Sequence, residues 1–149
     1  MNRFAVRLFA MPLLLTAIFF LAACGKAGMP VPKKTQDTFT ITGAGVTVMG
    51  KCLAARGTVT GAVNNFERVM VEVDPIDSHD DCPGCPFNAG ESQEFSASDV
   101  QFDAKTGQFL LSFCPSTEAP MYRWRLVGKN VHPGLPYATT TPQVVIMNK

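Results

Sequence analysis

Gln108-Phe109-Leu110-Leu111-Ser112-Phe113 and, beyond Pro115, Tyr122-Arg123-Trp124-Arg125-Leu126 form the stretch whose reading decides the fold of this chain. Apolar residues recur at every second position, Phe109, Leu111 and Phe113 in the first run and Tyr122, Trp124 and Leu126 in the second. A period of two sends alternate side chains to opposite faces of a strand, so each run predicts one face on a core and one toward water. Arg123 and Arg125 then face outward. A tryptophan between two arginines could also be a ligand platform, but on a central strand the same residue serves as packing.

Comparable runs lie on either side. With Thr38 to Met49, Cys52 to Thr60, Phe66 to Asp74, Phe95 to Asp103, Gln108 to Phe113, Met121 to Gly128 and Ala138 to Met147, the chain predicts seven short strands separated by turn residues. Gly61 with Asn64-Asn65, and Lys105-Thr106-Gly107, are turn residues that tolerate positive φ. No convincing helix is visible. The expected fold is all-β, a seven-stranded antiparallel β-sandwich.

The run from Gln108 to Met147 resembles strands E, F and G of a fibronectin type III domain, an immunoglobulin-like sandwich. An apolar strand ends near Pro115, Tyr122 stands where the corner tyrosine opens strand F, and Asn130 precedes the last loop. The second strand departs from that family: it carries Leu53, Ala55, Gly57 and Val59 where a tryptophan is usual. The connection between Pro115 and Tyr122 is also longer.

At the other end, Arg3 and Arg7 precede an apolar segment from Phe9 to Leu21 that closes on Leu21-Ala22-Ala23-Cys24. A positive region, an apolar stretch and small residues before a break are what export and cleavage require. The tetrapeptide resembles the lipobox of bacterial lipoproteins, which implies a signal peptide over residues 1–23, lipidation of Cys24, a lipidated flexible tether over 24–36 and a sandwich over 37–149. The bilayer would be a partner through acylated Cys24. Gly25 stands where an inner-membrane retention aspartate would be, so the resemblance implies a cell-envelope lipoprotein at the outer membrane, facing the periplasm. A single uncleaved span from Phe4 to Ala23 is the competing reading; Pro12 interrupts it.

The chain has 13 basic and 12 acidic residues, and two of the basic ones leave with the signal. That balance, with no basic block beside aromatic residues, argues against nucleic acid as a partner. Cys52, Cys82, Cys85 and Cys114 remain after Cys24, an even set suited to an oxidising compartment. Strand order places all four at one pole of a sandwich, and the first strand starts at the opposite pole, near Asn64 and His132. Two disulfides, Cys52–Cys114 and Cys82–Cys85, are one outcome; other pairings stay open.

Thiol redox chemistry at Cys82-Pro83-Gly84-Cys85 is a second outcome, opposed by the acids Asp74, Asp77, Asp80 and Asp81, since negative neighbours raise a thiol pKa. Metal binding by the cysteines, those acids and His79 is a third, but one C-x-x-C pair is half the usual zinc signature. His79 and His132 lack a recognisable nucleophile motif, and no glycine-rich phosphate loop is present. The expectation is a non-enzymatic module with no cofactor and no catalytic residue, meeting an envelope protein or polymer, with thiol-disulfide or metal handling as the alternative.

Overall fold

Alternation along the strands translates directly into two facing layers. In the computed structural model, which describes residues 34–76 and 86–147, the strands are β1 (Phe39–Met49), β2 (Cys52–Gly61), β3 (Phe66–Ile76), β4 (Glu91–Ser96), β5 (Gln101–Asp103), β6 (Gln108–Phe113), β7 (Met121–Asn130), β8 (Ala138–Thr139) and β9 (Gln143–Ile146). The first sheet runs β1-β2-β6-β5, and the second runs β4-β3-β7 with β8 and β9 both on the far side of β7. Every pairing is antiparallel. This is an all-β sandwich of two antiparallel sheets.

Two of the expected strands divide. The apolar rhythm predicts one strand from Phe95 to Asp103, but its first part belongs to β4 in the second sheet and its last part is β5 in the first. The cause is a turn that the side chains close: the Ser96 N–H and hydroxyl both donate to Asp99 Oδ2, at 3.0 and 2.6 Å. Val100, buried just after it, fills the crossing between sheets. The segment from Ala138 to Met147 likewise breaks into β8 and β9, because Pro142 has no N–H for a ladder. Thr140 bridges the break, its hydroxyl accepting the Leu126 N–H at 3.0 Å and its own N–H donating to the Leu126 carbonyl.

The core is made of the predicted alternating residues. Leu53, Ala55 and Val59 of β2 and Phe109, Leu111 and Phe113 of β6 meet Val69, Val71 and Val73 of β3 and Tyr122, Trp124 and Leu126 of β7. Burying one such large side chain is worth about 1.5–3 kcal/mol, so these four strands dominate the stability. At one end Phe39 meets Phe66 edge-on at 5.6 Å, and Phe66 stacks on Phe109 at 5.8 Å. Two glycines make room for this cluster. A Cβ on Gly57 would fall 2.8 Å from the Phe109 ring, and one on Gly128 would fall 2.7 Å from Phe39. Small residues on β2 thus leave this part of the core to rings from other strands. The large ring enters instead from β7, where Trp124 is 1% exposed and its indole N–H has no acceptor among the described residues.

Tyr122 closes the long connection into β7. Its hydroxyl donates to the Thr117 carbonyl and accepts the Ala119 N–H, which ties the connection to the start of the strand. The start of the sandwich is held at the other end. The Asp37 carbonyl accepts from Asn65 Nδ2 at 3.1 Å and Asn130 Nδ2 at 2.7 Å, and Ala62 N–H donates to the Thr38 carbonyl. The first strand therefore starts beside the 62–65 and 131–135 loops, the pole expected from strand order.

Two local expectations need correction. The segment expected to stay extended up to Gln36 ends in one helical turn, α1 (Lys34–Asp37). Asn64 and Asn65 do not adopt positive φ; they lie in a 3-10 turn, Val63–Asn65, and Asn65 acts through its side chain. Gly61 and Gly107 do take positive φ. At Gly107 the turn is tight enough that a Cβ would meet the Val59 carbonyl oxygen at 2.2 Å.

Candidate functional site

At the pole where β2 begins and β6 ends, Cys52 and Cys114 form a disulfide. The register that pairs Leu53 with Phe113 sets these two residues opposite each other on neighbouring strands. Since Leu53 and Phe113 point into the core, both cysteines lie on the outer face of the sheet. Cys24, Cys82 and Cys85 lie outside the described residues, as do Asp77, His79, Asp80 and Asp81. Asp74 is described, and it forms an ion pair with Arg123.

The outer face of the second sheet is covered by charge pairs in register. β3 and β7 place Asp74 opposite Arg123 and Glu72 opposite Arg125, and both pairs form ion pairs, the second at 2.5 Å. Arg125 also lies over the Phe87 ring, 4.5 Å from its centre, and Arg123 reaches the Pro86 carbonyl at 3.4 Å. The two guanidinium groups thus flank a phenylalanine brought across the sheet, while Trp124 between them faces the core. Farther along, Arg68 opposes Lys129, a like-charge pair that Glu94 of β4 bridges by meeting both. The hydrogen bond from Lys129 holds the Glu94 carboxyl below its ordinary value, against the opposing effect of burial, and the charges of Lys129 and Arg68 add to the shift. This ladder is not readable from sequence, since it depends on a register between residues 49 and 53 positions apart.

The outer face of the first sheet has a different chemistry. Alternation places Thr40, Thr42 and Thr47 of β1, Ala54, Arg56, Thr58 and Thr60 of β2, and Gln108, Leu110 and Ser112 of β6 on it. Thr40 and Thr60 hydroxyls bond across the strands at 2.8 Å, and the Thr42 hydroxyl donates to the Thr58 carbonyl at 3.3 Å. Leu110 is exposed at the middle of this face, and no carboxylate among the described residues pairs with Arg56 beside it. Asp103 stands at the rim, its carboxyl held below the usual aspartate value by the Lys105 N–H and the Thr106 hydroxyl. A flat array of hydroxyls and amides with one cation can hydrogen-bond along a polymer or polypeptide and neutralise an anionic group. It is the candidate interaction surface.

His132 sits next to the start of the sandwich, its N–H donating to Asn130 Oδ1 at 2.9 Å. Sequence order placed it on that loop, and Leu135, buried three residues later, holds the loop against the fold.

No protein-family model matches the chain, and no curated protein does. Among solved structures, it is similar to a DUF3823 family protein from Bacteroides ovatus, with a TM-score of 0.53 and 14% identity over 74% of this chain and 55% of that one. It is also similar to a DUF3823 family protein from Parabacteroides merdae, with a TM-score of 0.48, 22% identity, and 74% and 52% of the two chains covered. A third similar structure, from Bacteroides uniformis, is provisionally described as a carbohydrate binding protein; its TM-score is 0.47 at 11% identity, with 73% and 57% covered. The chain spans about half the length of these structures. The first of them shares the β-sandwich fold. None of the three descriptions names an enzyme.

Proposed function

We propose that this chain is a bacterial lipoprotein, acylated at Cys24 and held at the cell envelope, whose fibronectin type III-like sandwich is a non-enzymatic binding or structural module. The observation that carries the reading is the junction of two parts: Leu21-Ala22-Ala23-Cys24 fits a lipobox, and a β-sandwich begins at Phe39, fifteen residues later. Acyl chains contribute about 0.8 kcal/mol per buried methylene, so two or more chains on one cysteine hold a domain stably at a membrane. Gly25 after the cysteine supports the outer membrane, with the domain facing the periplasm. The hydroxyl-lined outer face of the first sheet is the surface offered to an envelope protein or polymer, because the second sheet's outer face is already covered by its own ion pairs.

Two measurements test this. Radiolabelled palmitate should enter the wild-type chain and not Cys24→Ala, and the variant should leave the membrane fraction. A photo-crosslinking residue at position 110, in the middle of the first sheet, should capture envelope components in intact cells that the same residue at position 144 does not. Equal labelling of the two Cys24 forms, or unchanged fractionation, overturns the anchor; equal capture at the two positions overturns the choice of face.

A further inference from the structure

The pole where the chain enters the fold bears on how an anchored domain would stand on its membrane. At the pole where the chain enters the fold, the loop after β7 exposes Val131 at 46% and Tyr137 at 58% of their surface. The loop is built rather than loose: the His132 N–H donates to Asn130, the Leu135 N–H donates to the His132 carbonyl, and the Leu135 side chain is buried. Lys129 lies 5.7 Å from the centre of the Tyr137 ring. From Ala119 to Lys149 the chain has no acidic residue, although Asp37, Glu67 and Asp103 of other elements lie at this same end. Asn65 and Asn130 hold the Asp37 carbonyl directly beside Val131, so the route back to Cys24 leaves from this loop.

We infer that the Val131–Tyr137 loop is a second membrane contact, resting in the headgroup region of the bilayer that Cys24 anchors; this rests on the acylation reading above. A tyrosine with an apolar ring and a polar tip is suited to that region. Asp37 lies thirteen positions beyond Cys24, and such a stretch cannot span more than about 45 Å. Two exposed side chains alone would bind a free membrane weakly. Tethering changes this, because a short linker sets an effective concentration in the millimolar range, at which a weak contact is populated. The sandwich then stands with its disulfide pole away from the membrane.

The test uses the full acylated chain in vesicles of phosphatidylethanolamine and phosphatidylglycerol with brominated acyl chains, which quench nearby indoles. Tyr137→Trp and Met49→Trp are matched probes, since both sites are similarly exposed, at 58% and 60%, and they lie at opposite poles. Buried Trp124 provides the same background in each. Quenching at position 137 at least twofold above that at 49, with a blue-shifted emission, is the expected result. Equal quenching, or stronger quenching at 49, overturns the inference while leaving the anchor intact if the mass of the same preparation shows acylated Cys24. An unmodified Cys24 in that mass overturns both.

Discussion

Gly128→Ala should destabilise the sandwich although it adds a single methyl group in a strand. Gly128 does not have positive φ, so the backbone accepts alanine, and reduced freedom of the unfolded chain would by itself favour the variant by about 0.4–1 kcal/mol. The space does not accept it. The new Cβ would lie 2.7 Å from Phe39 Cε2 and 3.0 Å from Ile41 Cδ1, where ordinary contact begins near 3.4 Å. Phe39 must then move by several tenths of an ångström, and it is wedged edge-on against Phe66, which itself packs on Phe102 and Phe109. Overpacking of this kind costs about 1–3 kcal/mol, so the net loss should be roughly 0.5–2 kcal/mol. Urea unfolding followed by Trp124 fluorescence measures it, with Gly134→Ala as the control, since a Cβ there meets nothing within 4 Å. Phe39→Leu should recover part of the loss when combined with Gly128→Ala. A Gly128→Ala midpoint at or above wild type, or no coupling to position 39, would refute this picture of the core.

Replacing both Cys52 and Cys114 by alanine opens a loop with a sequence separation of 62, for which chain entropy gives about 4 kcal/mol. Allowing for residual structure in the unfolded chain, a loss of roughly 2–4 kcal/mol in urea unfolding is expected, and an unchanged midpoint would contradict it. A double-mutant cycle on Glu72→Gln and Arg125→Gln should yield a coupling of about 1 kcal/mol, since both side chains are partly shielded from solvent; a value near zero would reduce the ladder to a surface contact. The Asp99 carboxyl is held below its ordinary value by the Ser96 hydroxyl and N–H. Its stabilising effect is therefore fully present above the ordinary aspartate value and is lost as pH falls through the lowered one. Thermal unfolding of Asp99→Asn should accordingly be less stable than wild type at neutral pH, with the difference closing below about pH 4.

Residues whose role depends on their own strand are legible in the sequence. Phe109, Leu111, Phe113, Tyr122, Trp124 and Leu126 point inward as their spacing demands, and the opposite pairing of Cys52 and Cys114 follows from the neighbouring strands that carry them. The crossing at Ser96 to Asp99 is hidden because Phe95, Val100 and Phe102 continue an apolar rhythm through it. Its signal is the Ser-Ala-Ser-Asp run, whose side chains compete with strand hydrogen bonds. The break before β9 has its signal in Pro142. Nothing local could reveal Asp74 with Arg123, Glu72 with Arg125, or the two asparagines on the Asp37 carbonyl. Each of these joins residues brought together only when the strands are paired.

The proposed lipid modification of Cys24, which would tie this sandwich to the envelope, is tested most directly by the intact mass of the chain extracted from bacterial membranes. The expected product begins at Cys24 and exceeds the bare polypeptide by a diacylglycerol group plus an amide-linked acyl chain. A mass equal to the unprocessed chain, with Met1 to Ala23 retained and no lipid on Cys24, would contradict it.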